Sequence, residues 1–209
     1  MGGITGATSG KFVLMAATLL FHGRVDNART TIAIVPGASH SAIGATLAGR
    51  IVRLDRVKIG IRAEYLYAPI AAVEPDPAAG ADLRIGQDIL DANPIEIDFP
   101  HHELRLLLPG EAARAERGMT AMPVTHRADG TPTIPLRLDG AAPVAATLDL
   151  AHATQVTATD TAAAAVAVGG VPLKSVQIRA GPAASVGLAA FAHARVIFDL
   201  GHDRIWLAT

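Results

Sequence analysis

The sequence predicts a mostly β protein built from two similar halves, with a short charged segment between them. Two observations lead to this prediction. Apolar runs are short, rich in Val, Ile and Leu, and interrupted by Gly, Pro, Asp and Asn, which is the pattern of strands and turns. The closing part of the first half also recurs, without a gap, 101 residues further along the chain.

The apolar runs place strands along nearly the whole chain, whereas helices are expected to be short. We discount the high alanine content as a helix signal, because alanine is spread over the whole chain. The expected strands cover 12–21, 30–35, 51–61, 95–99, 104–108, 134–138, 144–148, 171–178, 195–199 and 204–207. The expected helices cover 42–48, 86–92, 158–167 and 187–192.

The internal repeat is the most informative feature of the chain. Residues 85–90 align with 186–191, and the same offset continues through the following strand, turn and strand. Identical residues stand 101 positions apart at Gly86, Asp98, His101 and Leu106. We therefore predict an N-terminal lobe over 1–109, a linker over 110–131 and a C-terminal lobe over 132–209.

Composition excludes several classes of function. The formal net charge is -1 and aromatic residues make up 4% of the chain, which disfavours a nucleic-acid partner. The absence of cysteine excludes disulfides, thiolate metal sites and cysteine nucleophiles. His101, His102 and Glu103 are adjacent on an expected strand, so they point to opposite faces and are poorly spaced for a metal. We predict no metal and no cofactor.

The sequence leaves the cellular location open. Lys11 precedes an apolar run of signal-peptide length, but the residues after it do not form a small-residue cleavage site. A first strand is therefore favoured there, and the cytoplasm is favoured over the periplasm or secretion. No run is long and apolar enough to cross a bilayer, because Lys174 and Arg179 interrupt the alanine- and valine-rich stretch near Ala162.

Each half resembles a lobe of the pepsin-like and retropepsin-like aspartic proteases, of a two-lobed bacterial kind. The resemblance rests on the closing element: an apolar residue and Gly, a short helix, and a strand-turn-strand with Asp at the end of its first strand. This element occurs at 85–106 and again at 186–207. It implies a mostly β fold of two pseudo-twofold-related retropepsin-like lobes with short helices and a cleft between them.

The opening motif departs from the family. Where the resemblance implies Asp-Thr-Gly, the first half has Val35-Pro36-Gly37 and the second half has Asp149-Leu150-Ala151. Aspartic proteolysis needs two close carboxylates that share one proton and activate one water. Valine carries no proton, so we do not expect classical proteolysis. Two chains could instead pair their second halves as a homodimer, but pairing within one chain is favoured by its higher effective concentration.

The two opening segments bring further polar side chains toward the same cleft. Asp149, His152 and His40 are the candidate catalytic residues, and Ser39 and Ser41 are candidate ligand-binding residues. A carboxylate, two imidazoles and two hydroxyls suffice for acid-base or nucleophilic chemistry. The alternative is that these residues only brace the loops through hydrogen bonds.

The function that follows is binding of a peptide or small molecule in the cleft by a protease-like protein without its first catalytic aspartate. One alternative is an enzyme, either a residual aspartic peptidase or a repurposed acid-base catalyst built on Asp149. Another is a structural protein whose cleft is filled. Tyr65 and Tyr67 stand where the family has a flap over its substrate, so they are candidate ligand contacts or ordinary strand residues.

Overall fold

The computed structural model describes residues 11–61, 64–78, 80–107 and 111–209. Strands dominate this part of the chain, and they form one sheet in each lobe and a third sheet shared by both. The prediction of a mostly β chain is confirmed. No helix among the described residues is long and apolar enough to cross a membrane.

The N-terminal lobe is an eight-stranded sheet with the order β6-β5-β2-β3-β8-β4-β7, and β1 pairs with β2. Side chains of a strand point alternately to the two faces of a sheet, and strand β2 shows this pattern. Leu19, Phe21 and Val25 are buried on the inner face, whereas His22 and Arg24 are exposed. Its strands are β1 Phe12–Met15, β2 Thr18–Val25, β3 Ala28–Ile34, β4 Ala42–Gly44, β5 Val57–Ile61, β6 Glu64–Ala68, β7 Ala72–Glu74 and β8 Leu83–Ile85, with helices α1 Ala45–Ala48 and α2 Gln87–Leu90 and a 3₁₀ turn Leu54–Arg56.

The C-terminal lobe repeats this plan with the order β17-β16-β13-β14-β19-β15-β18, and β12 pairs with β13. Its strands are β12 Thr125–His126, β13 Pro132–Leu138, β14 Val144–Asp149, β15 Val156–Ala158, β16 Val166–Val168, β17 Val171–Leu173, β18 Ile178–Ala180 and β19 Ser185–Gly187, followed by a 3₁₀ turn Leu188–Phe191.

The third sheet joins the lobes in the order β10-β9-β20-β21-β11. Its strands are β9 Ile95–Asp98, β10 Glu103–Leu106, β11 Thr120–Pro123, β20 Arg195–Asp199 and β21 Arg204–Ala208, and a 3₁₀ turn Leu200–His202 separates the last two in the chain. The segment predicted to link the lobes therefore also builds the shared sheet, through helix α3 Ala112–Ala115 and strand β11. Its first residue, Gly110, lies outside the described residues, as do residues 1–10.

The shared sheet shows where the pseudo-twofold axis lies. In the antiparallel pairing of β9 with β20, Glu96 stands opposite Ile197. These two residues are 101 positions apart, so each is the repeat of the other. The axis therefore passes between Glu96 and Ile197, and the closing elements of the two lobes lie on either side of it.

One continuous apolar core runs through both lobes and one face of the shared sheet. The opposite face is covered by the linker, where Ala115 of α3 packs with Leu107 and Ile197, and Met119 and Trp206 lie against them. Trp206 is partly buried here. Its indole N–H is buried without a hydrogen-bond partner among the described residues.

One predicted helix is wrong. The alanine-rich segment 158–167 holds the end of β15, a loop and the start of β16 rather than a helix. Val156, Val166 and Val168 are buried while Thr157 and Ala167 between them are partly exposed, so the burial alternates with the strand period. Pairing of β15 with β18 and β19, and of β16 with β13 and β17, overrides the helix propensity of alanine.

Candidate functional site

The sheet register shows which residues of the two opening loops are equivalent. Ile34 pairs with Ile85 in parallel β3 and β8, and Leu148 pairs with Val186 in parallel β14 and β19. Val186 is the repeat of Ile85, so Leu148 is the equivalent of Ile34. The next residues, Val35 and Asp149, therefore occupy equivalent positions at the ends of equivalent strands.

The opening loops, residues 35–41 and 149–155, meet across the pseudo-twofold axis. A Cβ atom added to Gly37 would lie 2.4 Å from the Cβ atom of Ala151, its equivalent in the other lobe. Only glycine fits at this position without moving one loop. The close approach keeps the strand ends that carry Val35 and Asp149 near the lobe junction.

A cavity of about 370 Å³ opens at this junction, and we call it the inter-lobe cavity. The first lobe contributes residues from its opening loop and from the region of α2. The second lobe contributes the end of β14, its opening loop and the β12–β13 hairpin. The lining residues are Pro36, Gly37, Gln87, Asp91, Val124, His126, Gly130, Pro132, Thr147, Leu148, Asp149, Leu150, Ala151 and Leu200.

Asp149 lies on the wall of this cavity with 26% of its side chain exposed. The Nδ1 atom of His152 lies 2.9 Å from both carboxylate oxygens, and the backbone N–H of Ala151 donates to one of them at 3.2 Å. The structure thus brings together two of the three predicted catalytic residues. The carboxylate of Asp149 contacts the ring through Nδ1 and so orients the imidazole, while the second ring nitrogen, Nε2, takes no part in this contact.

The same Asp–His arrangement occurs at two turns of the shared sheet. His101 Nδ1 lies 2.9 Å from both carboxylate oxygens of Asp98, and His202 Nδ1 lies 2.7 Å from Asp199. The three histidine side chains are similarly exposed, at 72%, 73% and 66% for His152, His101 and His202. This spacing of three residues is therefore a recurrent way of bracing a turn in this chain, and it does not by itself mark a catalytic pair.

Asp91, just after α2, is a second carboxylate on the cavity wall. Burial raises the pKa of Asp91 above its ordinary value, and the nearby charge of Asp88 raises it further. No Lys or Arg is among the residues that line the cavity in the described part of the chain. The cavity therefore presents two carboxylates, together with Gln87 and Thr147, and His126 is its one imidazole.

His40, the third predicted catalytic residue, belongs to a different cluster. Its Nδ1 atom lies 3.1 Å from Ser39 Oγ, and its Nε2 atom lies 3.6 Å from Glu74. Two hydrogen bonds of 2.9 Å join Glu74 to Arg84, whose guanidinium holds the pKa of Glu74 below its usual range. No contact joins His40 to Asp149 among the described residues, so the predicted set is divided between two places.

Ser41 does not have the exposure that its predicted role in ligand binding requires. The residue is 0% exposed, its hydroxyl donates to Asp88 at 2.6 Å, and it accepts from the N–H of Gly86 at 2.9 Å. A buried hydroxyl with both partners in place supports the loop rather than a ligand. Ser39, in contrast, is exposed.

Tyr65 and Tyr67 lie on strand β6, and neither lines the inter-lobe cavity. Both side chains are about half exposed, at 52% and 51%. They contact each other edge to face on this strand, which fits the expectation of ordinary strand residues, and their role as ligand contacts stays a prediction.

Comparison with known proteins gives one informative result. No family model matches the chain, and no curated protein matches it. Among solved structures, the chain is similar to conglutin gamma, described as a unique basic 7S globulin from lupine seeds, with a TM-score of 0.56, 8% sequence identity, and coverage of 95% of this chain and 93% of that one. The likeness confirms the two-lobed, mostly β fold. At this identity it shows the fold alone.

Sequence reasoning missed Asp91, Gln87, Thr147 and His126 as cavity residues. Two of them had a usable signal, because Gln87 follows the repeated Gly86 and Asp91 ends the same short helix. His126 had no such signal, since it was placed in the linker and reaches the cavity only because the β12–β13 hairpin folds back beside β14.

Proposed function

We propose that this protein binds a peptide or a comparable ligand in the inter-lobe cavity, on an aspartic-protease-like scaffold that has lost two-carboxylate catalysis. The observation that carries the proposal is the register of the sheets, which makes Val35 the equivalent of Asp149. A fold with this symmetry would need a carboxylate at both positions to hold one water between them.

The surroundings of Asp149 support the same conclusion. Its carboxylate is paired with His152 inside its own loop and accepts the N–H of Ala151. Leu150 and Ala151 stand where the family has Thr and Gly. The residue is thus a single carboxylate braced by local partners, which suits a hydrogen-bond acceptor for a ligand better than one half of an acid-base pair.

The cavity lining indicates the chemistry of the ligand. Asp91 and Asp149 supply negative charge, and Gln87 and Thr147 add uncharged polar groups, while none of the described lining residues is Lys or Arg. A peptide that carries a Lys or Arg side chain, or a free amino terminus, complements this charge. The volume of about 370 Å³ is at the small end for ligand sites, so it accommodates one or two side chains rather than a long segment.

Peptide binding tests the proposal directly. Fluorescence anisotropy with labelled hexapeptides should show binding of Lys- or Arg-containing peptides and weaker binding of their uncharged Gln-containing counterparts. Gln87→Trp places an indole in the cavity and should abolish this binding. Ala113→Trp, on the exposed side of α3 away from the cavity, is the matched control and should bind like the native protein. Equal binding by Gln87→Trp would contradict the cavity as the site.

A statine-type inhibitor of aspartic proteases provides the second test. Because Val35 supplies no carboxylate, the native protein should not bind it at acid or neutral pH. Tight binding that strengthens toward acid pH would mean that a shared-proton carboxylate pair exists, and the proposal would be wrong.

A second candidate function is acid-base catalysis by Asp149 and His152. This function is favoured by the contact of the Asp149 carboxylate with His152 Nδ1, which orients the imidazole ring as in many general-base pairs. In that case Asp149→Asn would abolish a hydrolytic activity whereas Asp98→Asn, at the like pair of the shared sheet, would not. We rank this function second because Asp98 and His101 have the same geometry although neither of them lines the cavity.

A further inference from the structure

The outer face of the N-terminal lobe carries a cluster of cationic and aromatic side chains that the proposed function does not use. In the pairing of the strands, Arg29 stands opposite Arg24, Arg24 opposite Gly60, and Gly60 opposite Tyr65. Two residues away on the same two strands, Lys58 stands opposite Tyr67. With Arg56, these residues form one surface, which we call the basic face.

The tyrosines and cations of the basic face contact one another. Lys58 Nζ lies 4.3 Å from the ring centre of Tyr65, and the guanidinium of Arg56 lies 4.7 Å from that of Tyr67. The two rings meet edge to face at 5.8 Å. Such contacts orient the cations over the rings but leave their charge uncompensated.

Carboxylates near this surface have other partners. Asp55 pairs with Arg53, and Asp26 accepts the backbone N–H of Lys58 at 2.9 Å. Among the side chains that the structure describes, no carboxylate forms an ion pair with the four cations of the basic face, Arg24, Arg29, Arg56 and Lys58. Four described cations stand against two described carboxylates, Asp26 and Asp55, so this face carries a net positive charge on a chain whose formal net charge is -1.

The C-terminal lobe shows that the fold does not need these side chains. Asp26 accepts the N–H of Lys58, and its equivalent Asp139 accepts the N–H of Ala165 in the same way. Ala165 is thus the equivalent of Lys58. The strand pairings extend this equivalence to the neighbouring positions. Gly60, Tyr65 and Arg29 of the first lobe correspond to Ala167, Pro172 and Pro143 of the second. Of the charged residues Arg24, Arg29 and Lys58, only Arg24 has a charged equivalent, which is Arg137.

We propose that the basic face binds an acidic peptide segment in extended conformation, paired with the edge strand β6. Strand β6 ends the order of its sheet, so its outer backbone groups are free to pair with another strand. Side chains two residues apart on an extended peptide lie on one face about 6.7 Å apart. Asp or Glu at alternate positions would therefore lie beside the tyrosines of β6 and near Lys58 and Arg56, the two cations that contact those rings.

A peptide fits this surface better than a nucleic acid does. The cations lie beside an open strand edge, which offers backbone pairing that a phosphodiester chain cannot use. The net charge of -1 also removes the long-range attraction that favours polyanions. A nucleic acid is therefore treated as an outcome that would overturn the proposal.

The experiment uses a labelled hexapeptide with Glu at alternate positions and measures anisotropy at low and at physiological salt. The native protein should bind it, more weakly at higher salt. Arg56→Ala with Lys58→Ala removes the two cations that contact the tyrosines of β6 and should weaken binding about tenfold or more. Arg137→Ala, at an exposed arginine of the other lobe, is the control and should leave binding unchanged. Backbone NMR shifts should concentrate on β5 and β6.

Several outcomes would overturn the proposal. These are unchanged binding by the double variant, an equal loss in Arg137→Ala, and equal or tighter binding of a single-stranded oligonucleotide of the same charge. Lys58→Ala alone is a second variant in case the double variant is unstable, and it should also weaken binding. Gln87→Trp separates this site from the inter-lobe cavity, because it should leave binding of the acidic peptide intact.

Discussion

At the scale of single residues, burial separates side chains that look alike in the sequence. Ser39 and Ser41 are two residues apart in the same loop and were given the same predicted role. Ser39 is exposed beside His40, whereas Ser41 is fully buried between Asp88 and the N–H of Gly86. The partners of Ser41 lie 45 and 47 residues away, so local sequence could not reveal them.

The difference between the two serines is measurable. Ser41→Ala leaves the N–H of Gly86 without its partner in the interior and removes one of the two donors to Asp88 Oδ1, which keeps the N–H of Ile89. It should lower the free energy of unfolding by about 1 to 3 kcal/mol. Ser39→Ala removes an exposed hydroxyl and should change it by less than about 0.5 kcal/mol. Urea unfolding followed by fluorescence of Trp206 measures both. Equal effects would show that the hydrogen bonds of Ser41 do not stabilise the loop.

At the scale of elements, the repeated glycine before each closing helix has a clear structural reason. A Cβ added to Gly86 would lie 2.6 Å from the carbonyl carbon and oxygen of His40, and one added to Gly187 would lie 2.1 Å from the carbonyl oxygen of Thr154. His40 and Thr154 occupy equivalent places in the two opening loops. The glycine found by sequence comparison thus allows the opening loop to pack directly on the closing element in each lobe.

Alanine at either glycine should therefore be strongly destabilising. Gly86→Ala and Gly187→Ala force backbone atoms apart and should each cost about 2 kcal/mol or more in unfolding free energy. Gly49→Ala is the control, because its nearest neighbour lies 3.7 Å away and its φ of -63° suits alanine. That variant should be neutral or slightly stabilising. Thermal unfolding of the three variants compares them, and a mild effect at Gly86 or Gly187 would contradict this packing.

At the scale of the whole molecule, the pseudo-twofold axis is marked by a charge cluster. Glu96 is 7% exposed and pairs with Arg105 on the neighbouring strand and with Arg195 across the axis. Arg195 also donates to the carbonyl of Ala115 at 3.1 Å, which ties the linker helix to the sheet. The equivalent position holds Ile197, so the two lobes are not identical at their junction.

Removing the central carboxylate tests how much this cluster stabilises the joined lobes. Glu96→Gln leaves two partly buried guanidinium groups without their counter-charge and should cost about 2 to 3 kcal/mol, somewhat less than a fully buried pair because both arginines reach solvent. Asp55→Asn breaks a fully exposed pair with Arg53 and should leave the free energy of unfolding nearly unchanged. Chemical denaturation compares the two variants. A similar small loss in both would mean that the cluster at the axis does not stabilise the interface.

The sequence alone was sufficient for the two-lobed β fold, the 101-residue repeat of its closing elements, and the equivalence of Val35 and Asp149. These features are carried by local patterns and by comparison of the chain with itself. Tertiary structure alone decided that His152 joins Asp149 while His40 joins Glu74, that Asp91 reaches the cavity, and that the linker adds a strand to the shared sheet. The physical reason is that such contacts join distant segments, and their geometry is set by how the sheets pack.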